Sequence, residues 1–346
     1  MKIETVTEGT KEAAVLFIAV NSIFFCLPWV FPYYNRAAKK KQGERQPEAA
    51  KNFSGCPTGE RQWFTRQGLC GKVPMVKKEG GSAMTPYFAE IAPYLPRQRE
   101  NWHVFPSVDS TNLVCKRMAA EGAPDGTVVI ADTQTAGRGR LGRSFQSAQG
   151  LGLYLSVLWR PRTAPEEWMA LPALGAVAAV RAVAQVCGLA VQIKWPNDIV
   201  YDGRKLGGIL TESVLLGAEP AVVLGIGINV SHRAADFAGE VRDIAASLEM
   251  VSGKPVSRAA LAAALMMELD CLRHEALEEP QLWLEEYRAA CLTVGREVQV
   301  LCDGGAQRAV SLGVDEGFGL QVRYADGREE TVRAGEVSVR GLYGYV

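Results

Sequence analysis

The sequence reads as an α+β protein, a mixed sheet with helices followed by a small β-barrel. Three features carry that reading. Apolar, strand-like runs between residues 127 and 228 are joined by tight turns in some places and by helices in others, which fits α+β better than a doubly wound alternation. A long Ala/Val-rich stretch, 167–187, has the length and composition of one buried helix. After Thr293 the texture changes to short alternating runs divided by Asp303-Gly304-Gly305 and Asp326-Gly327, which are hairpin signals.

The chain opens with a segment of different character. Residues 13–34, AAVLFIAVNSIFFCLPWVFPYY, have about the length a membrane-spanning helix needs, and Arg36 and Lys39 to Lys41 follow them. Pro28, Pro32, Asn21 and Ser22 argue against a span, and the start MKIETVTEGTKE lacks the basic region of a signal peptide. Membrane contact is expected only if this stretch is a real anchor. Residues 36–83 keep no period and read as a linker. Lys78-Glu79-Gly80 can be encoded by a purine-rich string, like a ribosome-binding site, just before the Met84 codon. The expectation is therefore that translation starts at Met84 and that residues 1–83 are an extension outside the fold.

From Asp109 the pattern is orderly. A helix is expected over Thr111–Ala120, ending at Gly122, with Asp109 or Ser110 accepting from its first amides. Strands are expected at Thr127–Ala131, after the turn Pro124-Asp125-Gly126, and at Leu151–Leu158, Val191–Lys194, Gly208–Leu216 and Ala221–Ile228. Residues 257–291 space Leu, Met, Trp and Tyr as a helical packing face does. The expected division is a main domain over 84–292 and a barrel over 293–346.

Composition narrows the function. Lys plus Arg number 38 and Asp plus Glu 38, but the split is uneven: 13 basic against 7 acidic residues before Met84, and 25 against 31 after it. An acidic main body argues against sequence-independent nucleic-acid binding, which needs clustered Lys and Arg on a basic face. Eight cysteines without a Cys-x-x-Cys pair, and only His103, His232 and His274, signal neither a zinc site nor a disulfide framework. Reduced cytosolic thiols and no structural metal are expected.

Three strings can carry chemistry. Gly137-Arg138-Gly139-Arg140-Leu141-Gly142 fits Gly-x-Gly-x-x-Gly, but it leads into another strand, and position 162, about twenty residues on, is Arg rather than an acid, so a dinucleotide fold is set aside. Arginines interleaved with glycines suit a mobile loop that closes around an anion such as an adenylate or triphosphate; alone they would equally be a solvated basic turn. Lys194-Trp195-Pro196-Asn197-Asp198 ends an apolar strand, where a lysine can neutralise charge between a carboxylate and an α-phosphate. A snorkelling surface lysine and a turn capped by Asn197 and Asp198 are the bland alternatives. Asp109-Ser110-Thr111-Asn112 reads as a helix start, whose hydroxyls and free amides also suit a polar uncharged ring or a carboxylate.

In chain order, DSTN, QTAGRGRLGR, KWPNDI, RKLGGILTE, GIGINV and GEVSVR resemble the biotin protein ligases over about residues 101–340. The resemblance implies a mixed-sheet biotin/lipoate-ligase-like catalytic domain followed by an SH3-like barrel. It implies that biotin and ATP give biotinyl-5′-adenylate, with Mg²⁺, and that biotin then passes to one lysine of a biotin carboxyl carrier protein. It places Ser110, Thr111, Asn112 and Gln134 on the biotin head, and Gly137, Arg138, Gly139 and Arg140 in the loop over biotin and the adenylate. Lys194 is the expected main catalytic residue, with Arg138 and Arg140 on carboxylate and phosphate. Arg140, Arg143, Phe145, Asn197, Asp198 and Asn229 are expected on the nucleotide, Phe145 standing where the family often has Trp. Family members often pair as homodimers. No winged-helix pattern is found in residues 1–100, so the monofunctional form without repressor activity is expected. The alternatives are a lipoate or octanoate ligase, a protein that binds biotinyl-adenylate without transferring it, and a biotin-responsive repressor.

Overall fold

The computed structural model describes residues 90–94, 101–161, 168, 170–214, 220–278, 280–302, 305–333 and 338–341. The expectations for 13–34, 36–83, a start at Met84 and the turn residues 303–304 lie outside them.

The main sheet has seven strands: β1 (Trp102–Phe105), β2 (Val128–Ala131), β3 (Gly152–Trp159), β4 (Gln192–Lys194), β5 (Asp198–Tyr201), β6 (Arg204–Val214) and β7 (Ala221–Asn229). Their order is β1-β2-β3-β7-β6-β5-β4. Only β1 and β2 run parallel, joined across helix α1 (Thr111–Ala120), and every other pair is antiparallel, so the sheet is mixed. Helices α2 (Leu171–Cys187), α3 (Leu248–Ser252), α4 (Arg258–Glu278) and α5 (Pro280–Ala290) follow in chain order. Among these described helices none is long and apolar enough to cross a membrane.

Alternation along each strand divides the sheet into two faces. Val128, Ile130, Leu153, Leu155, Ile226 and Ile228 share one buried cluster with α2 and α4, while Val129, Leu158 and Val223 share another with Val114, Cys115 and Ala119 of α1. Tyr154 and Ser156 of β3, Gly208 and Glu212 of β6, and Gly225 and Gly227 of β7 have the parity of the α1 face. There α1 is short enough to leave part of the sheet uncovered, and the functional cavity lies in that gap.

Beyond α5 come β8 (Glu297–Cys302), β9 (Gly305–Val314), β10 (Leu320–Tyr324), β11 (Glu329–Val332) and β12 (Ser338–Gly341), an antiparallel sheet in the order β11-β10-β9-β8-β12. The Asp326-Gly327 turn joins β10 to β11 as its sequence signals, with Gly327 at φ +88°.

Two elements are added to those expected from sequence, and one expectation, the α1 cap, is corrected. β1 is a strand that its short, polar-flanked sequence does not announce. The chain after Pro196 turns straight back as β5, so Lys194 and Asp198 face each other across a hairpin. The first amide of α1 is capped neither by Asp109 nor by Ser110: Asp109 Oδ1 accepts from Ser110 N at 2.7 Å, and Thr111 N donates to Gln134 Oε1 at 2.8 Å.

Candidate functional site

A cavity of about 590 Å³ opens on the α1 face. Its first wall is the start of α1, where a chain of buried polar groups runs inward. Thr111 Oγ1 donates to Gln134 Oε1 at 3.1 Å, and Gln134 Nε2 donates to Ser147 Oγ at 2.8 Å. Ser156 Oγ lies 2.7 Å from Thr111 Oγ1 and 2.6 Å from Asn112 Oδ1, so its single proton serves one or the other. Asn112 Nδ2 donates to Leu210 O at 3.3 Å and Glu212 Oε2 at 2.8 Å. Gly225 exists because of this packing: a Cβ there would stand 2.1 Å from Asn112 Oδ1.

Glu212 closes the chain. Its other oxygen takes Lys116 Nζ at 2.6 Å and stands 3.4 Å from an Arg138 guanidinium nitrogen. Burial alone would raise its pKa, but the bonds from Lys116 and Asn112 outweigh it and hold the carboxyl below its ordinary value.

The glycine-arginine segment is folded as a small hairpin. Arg138 and Ser144 form an antiparallel bridge, Phe145 N donates to Gly137 O at 2.9 Å, and Gly139 N donates to Arg143 O at 2.7 Å. The tip puts Leu141 at φ 53° with its side chain 67% exposed, beside Gly142 at φ +72°. At its far end the Phe145 ring packs edge-on to Tyr154, 6.3 Å between centroids, and lies where a Cβ on Gly227 would be at 2.8 Å.

The opposite wall is the β4–β5 turn. Lys194 is 7% exposed at the end of β4. Two residues on, past a cis Trp195-Pro196 bond, Asn197 accepts from Arg140 at 3.1 Å through Oδ1 and donates to Ile209 O through Nδ2. Burial draws the Arg140 pKa below its ordinary value. Asp198 pairs with Lys205 Nζ at 2.5 Å. Asn229 lines the far end and donates to Ala246 O at 3.0 Å.

Of the residues singled out from sequence, Ser110, Thr111, Asn112, Gln134, Arg138, Gly139, Arg140, Arg143, Phe145, Lys194, Asn197, Asp198 and Asn229 all line this one cavity. Gly137 does not; it sits behind the lining, where a Cβ would meet Phe145 O at 2.4 Å and Ser147 Oγ at 2.5 Å. Sequence reasoning missed Ser147, Ser156, Glu212 and Lys205. The cavity is bipolar. Its α1 wall presents hydroxyl and amide groups, with Arg138 drawn toward Glu212 behind Asn112, while Arg140, Arg143, Lys194 and Lys205 accompany Asp198, the one carboxylate lining it among the described residues. Among the described residues no three His, Cys, Asp or Glu side chains gather as a metal site. Such a cavity can hold an uncharged polar head at one end and gather phosphates and a carboxylate at the other.

Comparison with known proteins agrees with this geometry. The profile of the Biotin/lipoate A/B protein ligase family matches residues 104–229. The bifunctional ligase/repressor BirA of Bacillus spizizenii is 36% identical over 218 residues, a match covering 60% of this chain and 65% of that relative, so the chain spans less than two thirds of its length. The biotin–acetyl-CoA-carboxylase ligase of Mycobacterium tuberculosis is 37% identical over 235 residues, 66% of this chain and 85% of that one. The biotin protein ligase of Aquifex aeolicus, solved with biotin and ATP, aligns with a TM-score of 0.62 at 28% identity, over 70% of this chain and 99% of that one.

Proposed function

The chain belongs to the biotin protein ligase family, and from that membership we propose that it converts biotin and ATP to biotinyl-5′-adenylate and pyrophosphate, then biotinylates one lysine of a biotin carboxyl carrier protein. The observation that carries the proposal is the bipolar cavity: one end suits the neutral ureido ring, the other the place where carboxylate and α-phosphate meet.

Ser110, Thr111 and Gln134 receive the ring, with Asn112 fixed behind them by Ser156 and Glu212. The biotin carboxylate then lies toward Lys194. As its oxygen attacks the α-phosphorus and the bond to pyrophosphate breaks, negative charge spreads over the transferring group. The buried ammonium of Lys194 and the guanidinium of Arg140, held by Asn197, offset that charge with little reorganisation. Arg138 lies on the same loop, held toward Glu212, and Arg143 extends the cationic wall. Phe145 and Asn229 flank the nucleotide. Asp198, beside Asn197 and paired with Lys205, is the lining carboxylate that would hold a Mg²⁺ together with the substrate phosphates, and that ion would supply charge neutralisation at the triphosphate.

The hairpin over the cavity shields the mixed anhydride from water. In the second step the carrier's lysine nitrogen attacks the anhydride carbonyl, the bond to AMP breaks, and the amine proton leaves to solvent. The name of the Mycobacterium tuberculosis relative supports a carboxylase carrier as acceptor. The same reading assigns catalysis to residues 84–292 and an accessory role to 293–346. It sets the protein beside its carrier in the cytoplasm, in keeping with free thiols at Cys115, Cys187, Cys271 and Cys291.

A lipoate or octanoate ligase would use the same cationic end, but an apolar dithiolane or alkyl chain offers no hydrogen bond to the hydroxyl and amide groups of Ser110, Thr111 and Gln134 that line the other. Exchange of labelled pyrophosphate into ATP by the full chain tests the reading. Exchange that depends on biotin is expected, and exchange with lipoate alone would overturn it.

A further inference from the structure

The catalytic wall is fastened from behind. Residues 194–197 carry Lys194 at one end and, at the other, Asn197, on which Arg140 rests. Between them the turn is tied at three points by elements that do not line the cavity. Tyr287 of α5 donates its hydroxyl to Pro196 O at 2.9 Å. Trp195 Nε1 donates to Phe318 O at 2.9 Å, and Trp195 N donates to Thr293 Oγ1 at 3.0 Å.

Two of these ties, from Tyr287 and to Phe318, end on one aromatic cluster. Phe318, at φ 61° in the turn between β9 and β10, stacks on Trp283 with centroids 4.6 Å apart and planes 12° apart, and meets Tyr287 edge-on at 5.5 Å and 88°. Asp315 shapes that turn, accepting from Gly319 N at 2.7 Å through its side chain and from Phe318 N at 3.2 Å through its carbonyl. Tyr287 is fully buried and Trp195 2% exposed, so neither bond has water as an easy substitute.

We infer that Tyr287 and Trp195 are positioning residues for adenylate formation, through which α5 and the C-terminal sheet hold the 194–197 turn so that Lys194 and Arg140 face one point. The inference rests on the ligase reading above and adds a task for the C-terminal sheet in the first chemical step. Both cations share this one support, so a small displacement of the turn misplaces both, whereas the biotin head on α1 is held by separate elements. Loosening the turn therefore lowers the rate of the chemical step and spares biotin binding.

The test uses the full chain with Tyr287→Phe, Trp195→Phe and the double substitution. The biotin Kd, the Tm, and kcat and KM for biotin-dependent pyrophosphate release are measured. Each single variant is expected to lose about 10-fold in kcat with the biotin Kd within about twofold of the parent. The double variant is expected to lose less than the product of the two singles, because both act through one turn. A folded Tyr287→Phe with parental kcat overturns the inference. So does a fall in Tm and biotin affinity that tracks the loss of kcat, which marks a merely structural role. Should Tyr287→Phe fail to fold, Trp195→Phe decides by the same criteria. A parent chain that releases no pyrophosphate with biotin overturns the ligase reading itself, whatever the variants do.

Discussion

Glu212 holds three groups at once: the Asn112 amide, the Lys116 ammonium and the Arg138 guanidinium. Glu212→Gln removes the charge while keeping the shape. A loss of about 1–3 kcal/mol in unfolding free energy is expected, the usual cost of weakening charge-assisted bonds at a largely buried group. The folded pKa of Glu212 lies below its ordinary 4.5. Its stabilisation is therefore complete above about 4.5 and is lost as pH falls through the lower folded value. Urea unfolding of parent and variant across that range checks this, and a gap between them that stays constant into the acid would contradict it. At this scale Lys194, Arg140 and the Ser110–Asn112 string were legible because each stands in a motif whose chemistry needs it. Glu212 was not, since an acid in a half-exposed strand looks like a solvent-facing position. Ser156 was hidden in the all-buried run of β3, where a lone serine carries no signal of its partners.

The elements show where local pattern ends and tertiary context begins. The ends of α1 and most of the strands are written in apolar periodicity and turn residues. β1 and β5, four residues each, are too short for a period and exist because β2 and β6 offer them ladders. The α1 cap comes from Gln134, 23 residues away, which no reading of the helix's own flanks supplies. The glycines of β6 and β7 were visible as letters, but only the packed sheet shows that Gly225 makes room for Asn112 and Gly227 for Phe145. Gly225→Ala is therefore expected to displace Asn112 and weaken biotin binding by about 10-fold or more, the scale of one misplaced polar wall, with a smaller change in KM for ATP. Calorimetric titration with biotin measures it; an unchanged Kd would remove Asn112 from the biotin site.

For the whole molecule, the sequence separates an acidic body from a basic leading segment, and within that body the fold gathers five cations around one cavity. Net charge could not reveal this, because those cations come from three separate stretches of chain. The C-terminal sheet was legible as hairpins. Its attachment to the catalytic turn was not, for Phe318 lies in an ordinary-looking loop and acts through its backbone carbonyl. The central claim is that this cavity activates biotin and delivers it to a carrier. Its most direct test is to incubate the full chain with ATP, Mg²⁺, an apo carrier domain and biotin or lipoate, reading the carrier by intact mass beside a Lys194→Ala control. One biotinyl group on the carrier, lost by at least about 100-fold in rate in the control, is the predicted result; lipoyl addition alone, no addition, or a control as fast as the parent would contradict the account.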